Sequence, residues 1–120
     1  MQELHLCESE YRFLCVIWEH EPLRSHELVT RCAEQLSWKK STTYTMLKKL
    51  CDRGFVENRD STVRSLVAKS AVQSFESDRV VARAFDGSLP CFLAAFLGGK
   101  KISDAEAEEL KRLIDEHKEV

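Results

Sequence analysis

Along residues 8–20 the apolar side chains return at helical spacing. Tyr11, Leu14, Cys15, Ile17 and Trp18 share one face, and Glu21-Pro22 ends the run. Glu10 follows Cys7 by three positions, as in a capping box, but cysteine is a poor stand-in for the serine or threonine that such a box uses. Leu23 and Arg24 read as a short extended link. Over residues 25–36, Leu28, Val29, Cys32 and Leu36 predict a second helix, with Ser25 placed to cap it. After the turn Ser37-Trp38-Lys39, residues 40–53 predict a third. Here Thr43, Met46, Leu47 and Leu50 recur on one face, and Gly54 stands where a left-handed stop is expected. The period then shortens: residues 55–59 and 63–68 read as two strands around the turn Asp60-Ser61-Thr62. Three helices followed by a hairpin is the winged-helix order, and the short turn between the second and third helices is that of a helix-turn-helix.

The rest of the chain is helical. Residues 70–86 carry Val72, Phe75, Val81 and Phe85 at seam spacing and end at Gly87. Pro90 sits in the first turn of the next helix, where its missing N–H does no harm, and CFLAAFL runs from there to Gly98-Gly99. Ser103 and Glu106 have capping-box spacing, with Ile102 placed to staple onto Ala107. The last helix continues to about His117 through Leu110, Leu113 and Ile114. The expected class is mainly α with a small β-hairpin: a winged helix-turn-helix over residues 1–69 and a helical region over 70–120. The tail has too little apolar content for a core of its own, and CFLAAFL left in water would be a patch. A second copy of the chain covers it most economically. Phe75, Val81, Phe85, Phe92, Phe96, Leu110, Leu113 and Ile114 are therefore the expected homodimer contacts, and a two-fold dimer suits a palindromic site.

The face of the third helix opposite Leu47 and Leu50 carries Ser41, Thr42, Tyr44, Thr45, Lys48 and Lys49, all hydrogen-bond donors. Hydroxyl residues crowded at a helix N-terminus with lysines behind them suit insertion into a DNA major groove. Charge distribution supports this more than the formal net charge of -2 does. Residues 1–37 hold three basic and seven acidic side chains, residues 38–64 seven and three, and residues 65–120 eight and ten. The positive field is thus focused on the third helix and the hairpin. Thr42, Tyr44 and Thr45 are expected at base edges, and Lys40, Ser41, Lys48, Arg59 and Arg64 at phosphates of double-stranded operator DNA. Two other readings fit the same face: a winged helix docking an acidic protein, and a thiol- or ligand-responsive regulator.

Composition narrows the remaining classes. Hydrophobic content of 43% with 32% charged residues is that of a folded domain. No apolar run approaches the ~20 residues of a membrane span, and the acidic start MQELHLCESE lacks signal-peptide character, so the expectation is a cytoplasmic protein without membrane insertion. Cys7, Cys15, Cys32, Cys51 and Cys91 are odd in number and contain no C-x-x-C pair, which argues against a disulfide framework or zinc site. Cys15, Cys32 and Cys51 lie beside helical core positions and read as small buried thiols. No cysteine–histidine spacing or glycine-rich phosphate loop points to an enzyme, a metal or a cofactor.

Taken together, Glu10-Tyr11 through Ile17-Trp18, Pro22-Leu23 with Glu27-Leu28-Val29, Trp38 with Ser41-Thr42, Thr45, Leu47, Leu50 and Gly54, and Gly87, Ala95-Phe96 and Glu108-Glu109-Leu110 resemble the penicillinase-repressor family in order and type over nearly the whole chain. The resemblance implies a dimeric transcriptional repressor of antibiotic-resistance or metal-homeostasis genes, bound to pseudo-palindromic operators with TACA/TGTA-like half-sites. It also implies, in the resistance branch, a membrane-bound metalloprotease sensor and cleavage of the repressor between positions matching Ala95 and Phe96. The chain departs from the family at Tyr44, often lysine or arginine there, and at the second strand, which lacks the usual tyrosines. Ala95 stands in place of an asparagine, and the cysteine pairs of the copper-responsive branch are absent.

Overall fold

A computed structural model describes residues 3–119. The elements run α1 (Glu8–His20), β1 (Leu23–Arg24), α2 (Ser25–Leu36), α3 (Lys40–Asp52), β2 (Val56–Arg59), β3 (Thr62–Ser65), α4 (Lys69–Ala84), α5 (Leu89–Leu97) and α6 (Asp104–Glu116). By contact the chain divides into two compact units, Met1–Arg79 and Val80–Val120. This is the winged-helix class expected from the order of elements.

The core of the first unit explains why α1 comes first. Packed between α2 and β3, α1 buries a broader face than its Tyr11–Trp18 pattern suggested. Phe13, Leu14, Val16 and Ile17 are almost wholly buried, whereas Tyr11, Cys15 and Trp18 are half-buried at the margins. Being covered on two sides, the helix buries residues that a single amphipathic stripe leaves out. Phe13 stacks on Trp38, with ring centroids 5.7 Å apart and planes at 10°. The Trp18 indole N–H donates to the Val67 carbonyl at 3.0 Å, fastening α1 to the segment after β3. Val72 of α4 is fully buried in the same core and is therefore no part of an exposed seam.

The sheet holds three strands, not two, in the order β1-β3-β2. Leu23 and Arg24, expected as a link, pair antiparallel with Val63 and Thr62. The hairpin loop is Asp60-Ser61, both with left-handed φ (52° and 63°), while Thr62 is already opposite Arg59 in the ladder. Two left-handed central residues make the turn whose twist matches antiparallel strands. Ser25 is likewise reassigned. It is the first helical residue of α2, and the capping position is Arg24, whose N–H donates to Glu27 at 3.0 Å. The buried Ser25 N–H, an orphan donor at a helix start, is satisfied by the Ser61 carbonyl at 2.9 Å. Gly54, with φ of 82°, ends α3 as expected. Its N–H reaches the Cys51 carbonyl at 3.0 Å and that of Phe55 reaches Leu50 at 2.9 Å, the bond pair of a Schellman stop.

In the second unit, Ser88 caps α5 by accepting from the Cys91 N–H at 3.2 Å, and Ser103 caps α6 by accepting from Glu106 at 3.1 Å. Phe85 lies beyond the end of α4, and its ring meets Phe92 edge-on at 5.4 Å. No residue of α5 or α6 is buried. Phe96 and Ile114 are 56% and 55% exposed, and Leu110 and Leu113 are also exposed. No single helix among the described residues is long and apolar enough to cross a membrane.

Glu10 is the one buried carboxylate among the described residues. It accepts the Cys7 N–H at 2.8 Å and pairs with Lys49 at 3.0 Å and Arg53 at 3.2 Å. Burial pushes its carboxyl up, but the Cys7 N–H, the Lys49 ammonium and the Cys7 thiol outweigh burial and hold it down at about 2, from an ordinary 4.5. Folding thus favours the ionised form. The contribution to stability is complete above about 4.5 and is lost as pH falls towards about 2. Glu10→Gln is expected to cost about 1–3 kcal/mol at neutral pH and to flatten the loss of stability in that acid window, as read by urea unfolding from pH 6 downwards.

Candidate nucleic-acid interface

Helix α3 is held from behind and open in front. Thr43, Leu47 and Leu50 are buried. Thr43 is tied to the Lys39 carbonyl at 3.2 Å and bonds the Cys32 thiol of α2, which burial pushes up to about 11. Lys40, Ser41, Thr42, Tyr44, Thr45 and Lys48 are all exposed on the other side, so the structure brings together the six α3 residues singled out from the sequence. Ser41, Thr42, Thr45, Met46 and Lys49 line a shallow concavity along one flank of this face. On the other flank the Lys40 ammonium lies 6.0 Å from the Tyr44 ring. The N-cap residue, Lys39, makes no side-chain capping bond. The N-terminus of α3 is the positive end of the helix dipole, which favours an anion.

The cations differ in how far they are engaged. Lys48 pairs with Asp52 at 3.5 Å, both well exposed, an arrangement that contributes little and yields readily to another anion. Lys49 is committed to Glu10, as is Arg53, whose second nitrogen donates to the His5 carbonyl at 2.7 Å. Arg59 and Arg64 lie on the outward face of the hairpin, each 3.7–3.8 Å from Glu57. Arg24 of β1 shares that face, a neighbour that sequence reading missed because the pairing of β1 with β3 is non-local.

The cysteines form no disulfide. Cys32 is buried, Cys15 and Cys51 are half-buried, Cys7 and Cys91 are exposed, and all five are free thiols. Burial and the neighbouring Asp52 charge push the Cys51 thiol up, which keeps it protonated and unreactive. No group of histidine, cysteine or acidic side chains among the described residues could hold a metal ion.

Comparison with known proteins agrees with this geometry. The profile of the penicillinase repressor family matches residues 6–116. The penicillinase repressor of Bacillus licheniformis is 25% identical over 117 residues, an alignment spanning 94% of this chain and 91% of that protein. With the match running almost end to end, and with three helices and a three-stranded wing in place, the chain belongs to the penicillinase repressor family of DNA-binding transcriptional repressors.

Proposed function

We propose that the chain acts as a homodimer on a pseudo-palindromic operator, with α3 of each protomer in the major groove and the hairpin beside it. The observation that carries this reading is the outward face of α3: hydroxyl and lysine side chains in water over an uncapped N-terminus, on a helix whose back is locked into the core. Thr42, Tyr44 and Thr45 read base edges. Lys40, Ser41, Lys48, Arg59 and Arg64 hold phosphates. Residues 1–69 form the DNA-binding domain, buttressed by Val72, and residues 70–120 the dimerisation region, whose exposed Phe96, Leu110, Leu113 and Ile114 meet a second copy. The genes controlled belong to an antibiotic-resistance or related stress response.

The two roles on α3 separate by salt dependence. Thr42→Ala is expected to lower affinity for a duplex with inverted TACA/TGTA half-sites by about 1–3 kcal/mol while leaving random duplex unchanged. Lys48→Ala is expected to weaken both alike and to reduce the salt slope by about 0.9 for each phosphate it no longer neutralises. Equal losses on both duplexes for Thr42→Ala would remove it from base readout.

The tail is tested by sedimentation. A chain ending at Gly87 is expected to be monomeric at micromolar concentration and to bind the full operator weakly, because it loses the roughly millimolar effective concentration that a linked partner supplies. A stable dimer of residues 1–87 would place dimerisation elsewhere.

Release follows from a cut between Ala95 and Phe96, made in response to a membrane-bound metalloprotease sensor. Both residues are exposed in the last turn of α5. The Gly98 N–H to Ala95 carbonyl bond there is long at 3.4 Å, and the end is closed by the Lys100 N–H on the Leu97 carbonyl at 2.9 Å, across Gly98-Gly99. A helix end running into two glycines opens locally without unfolding the domain and presents extended chain to a protease. Mass spectrometry of the repressor from induced cells is expected to show a fragment ending at Ala95, whereas intact protein during full derepression would exclude this route.

A further inference from the structure

The outward face of the sheet carries more charge than the hairpin alone provides. Leu23, Val56 and Val63 point into the core, so the alternating positions point away from it. Register places Arg24 opposite Thr62, Arg59 opposite Thr62 and Arg64 opposite Glu57. Together with Asp60 these residues line one open concavity of about 430 Å3. Three guanidinium groups from three strands thus converge on a face that also holds the carboxylates of Glu57 and Asp60.

The ion pairs on this face are loose. Arg59 and Arg64 stand 3.7 and 3.8 Å from the two oxygens of Glu57, and their side chains are 81% and 53% exposed. A charge-assisted hydrogen bond of full strength is nearly 1 Å shorter, and pairs so exposed are easily broken. Glu57 is itself only 29% exposed. A backbone phosphate oxygen entering the concavity would meet the two guanidiniums on their solvent side and compete with the carboxylate that the sheet holds beside them.

We propose that on this face Arg24 is a further phosphate contact for duplex DNA, beside Arg59 and Arg64, and that Glu57 is an internal competitor that lowers affinity for any duplex. The proposal rests on the DNA-binding reading of α3 and adds to it a device for limiting non-specific binding. Sequence-independent attraction comes almost wholly from phosphate contacts. A carboxylate fixed beside the phosphate contacts therefore reduces binding to random DNA, while base readout by α3 is untouched.

The test is a salt titration of full-length variants on a mixed-sequence duplex, which needs no knowledge of the operator. Glu57→Gln is expected to bind several-fold more tightly at low salt, with a steeper salt slope. With an unchanged melting temperature, a gain of affinity reports the lost carboxylate rather than the fold. The gain should vanish when Arg59→Gln and Arg64→Gln are added. Arg24→Gln, with an unchanged melting temperature, is expected to flatten the slope by about 0.9 per protomer. Unchanged or weaker binding by Glu57→Gln, or an unchanged slope for Arg24→Gln, would overturn the proposal. Stabilisation by inorganic phosphate that Arg24→Gln abolishes, with duplex binding unaltered, would also overturn it by making this a free-anion site. A wild-type chain with no salt-dependent duplex affinity would instead sink the α3 reading, whereas a normal Lys48→Ala response beside silent Arg24 and Glu57 variants would sink only this one.

Discussion

The direction in which α3 points depends on one buried carboxylate. Glu10 closes the first turn of α1 through the Cys7 N–H and receives Lys49 and Arg53 from the far end of α3. Arg53 also stacks over the Phe55 ring at 4.8 Å and bonds the His5 carbonyl, so the segment before α1 and the segment after α3 are tied to a single point. The C-terminal end of α3 is clamped ionically and its middle is packed by Leu47 and Leu50, which leaves the hydroxyl-rich N-terminal half to project. A carboxylate without these partners would be costly at that depth. With them, it converts two flexible cationic side chains into fixed struts.

That clamp alters the charge picture drawn from composition. The excess of basic residues over 38–64 is real, but Lys49 and Arg53 serve the fold, and Lys48, Arg59 and Arg64 each lie near a carboxylate. Counting charges along a chain shows where a field is concentrated. It does not show which cations are already engaged, because partners such as Glu10 and Arg53 lie far apart in sequence.

Helices and their stops were legible because their signals are local. Gly54 and Ser103 act where spacing places them, and Thr43, Leu47 and Leu50 are the buried face of α3. The misreadings share one cause. Leu23-Arg24 became a strand because β3 is available to pair with it, and Ser25 gave up its capping role because the Ser61 carbonyl reaches its N–H. Phe13 and Val16 are buried because α1 is covered on two sides, and Val72 because α4 turns it into the first unit's core. Each depends on a segment distant in sequence, which periodicity does not register. The outward face of α3 was legible for the same local reason as its inward face, whereas Arg24 joined the hairpin arginines only through strand register.

The bond between the Ser61 carbonyl and the Ser25 N–H has a mechanical meaning. It joins the tip of the wing to the first residue of the helix that packs against α3, and β1 adds a ladder beside it. Wing and α3 are therefore two jaws of one caliper whose gap is set by the fold. On the proposed operator-bound reading, a caliper of fixed opening measures the duplex as well as reading it. Stretches whose groove width or twist did not match the gap would then carry a deformation cost, and discrimination would extend to base pairs that no side chain touches.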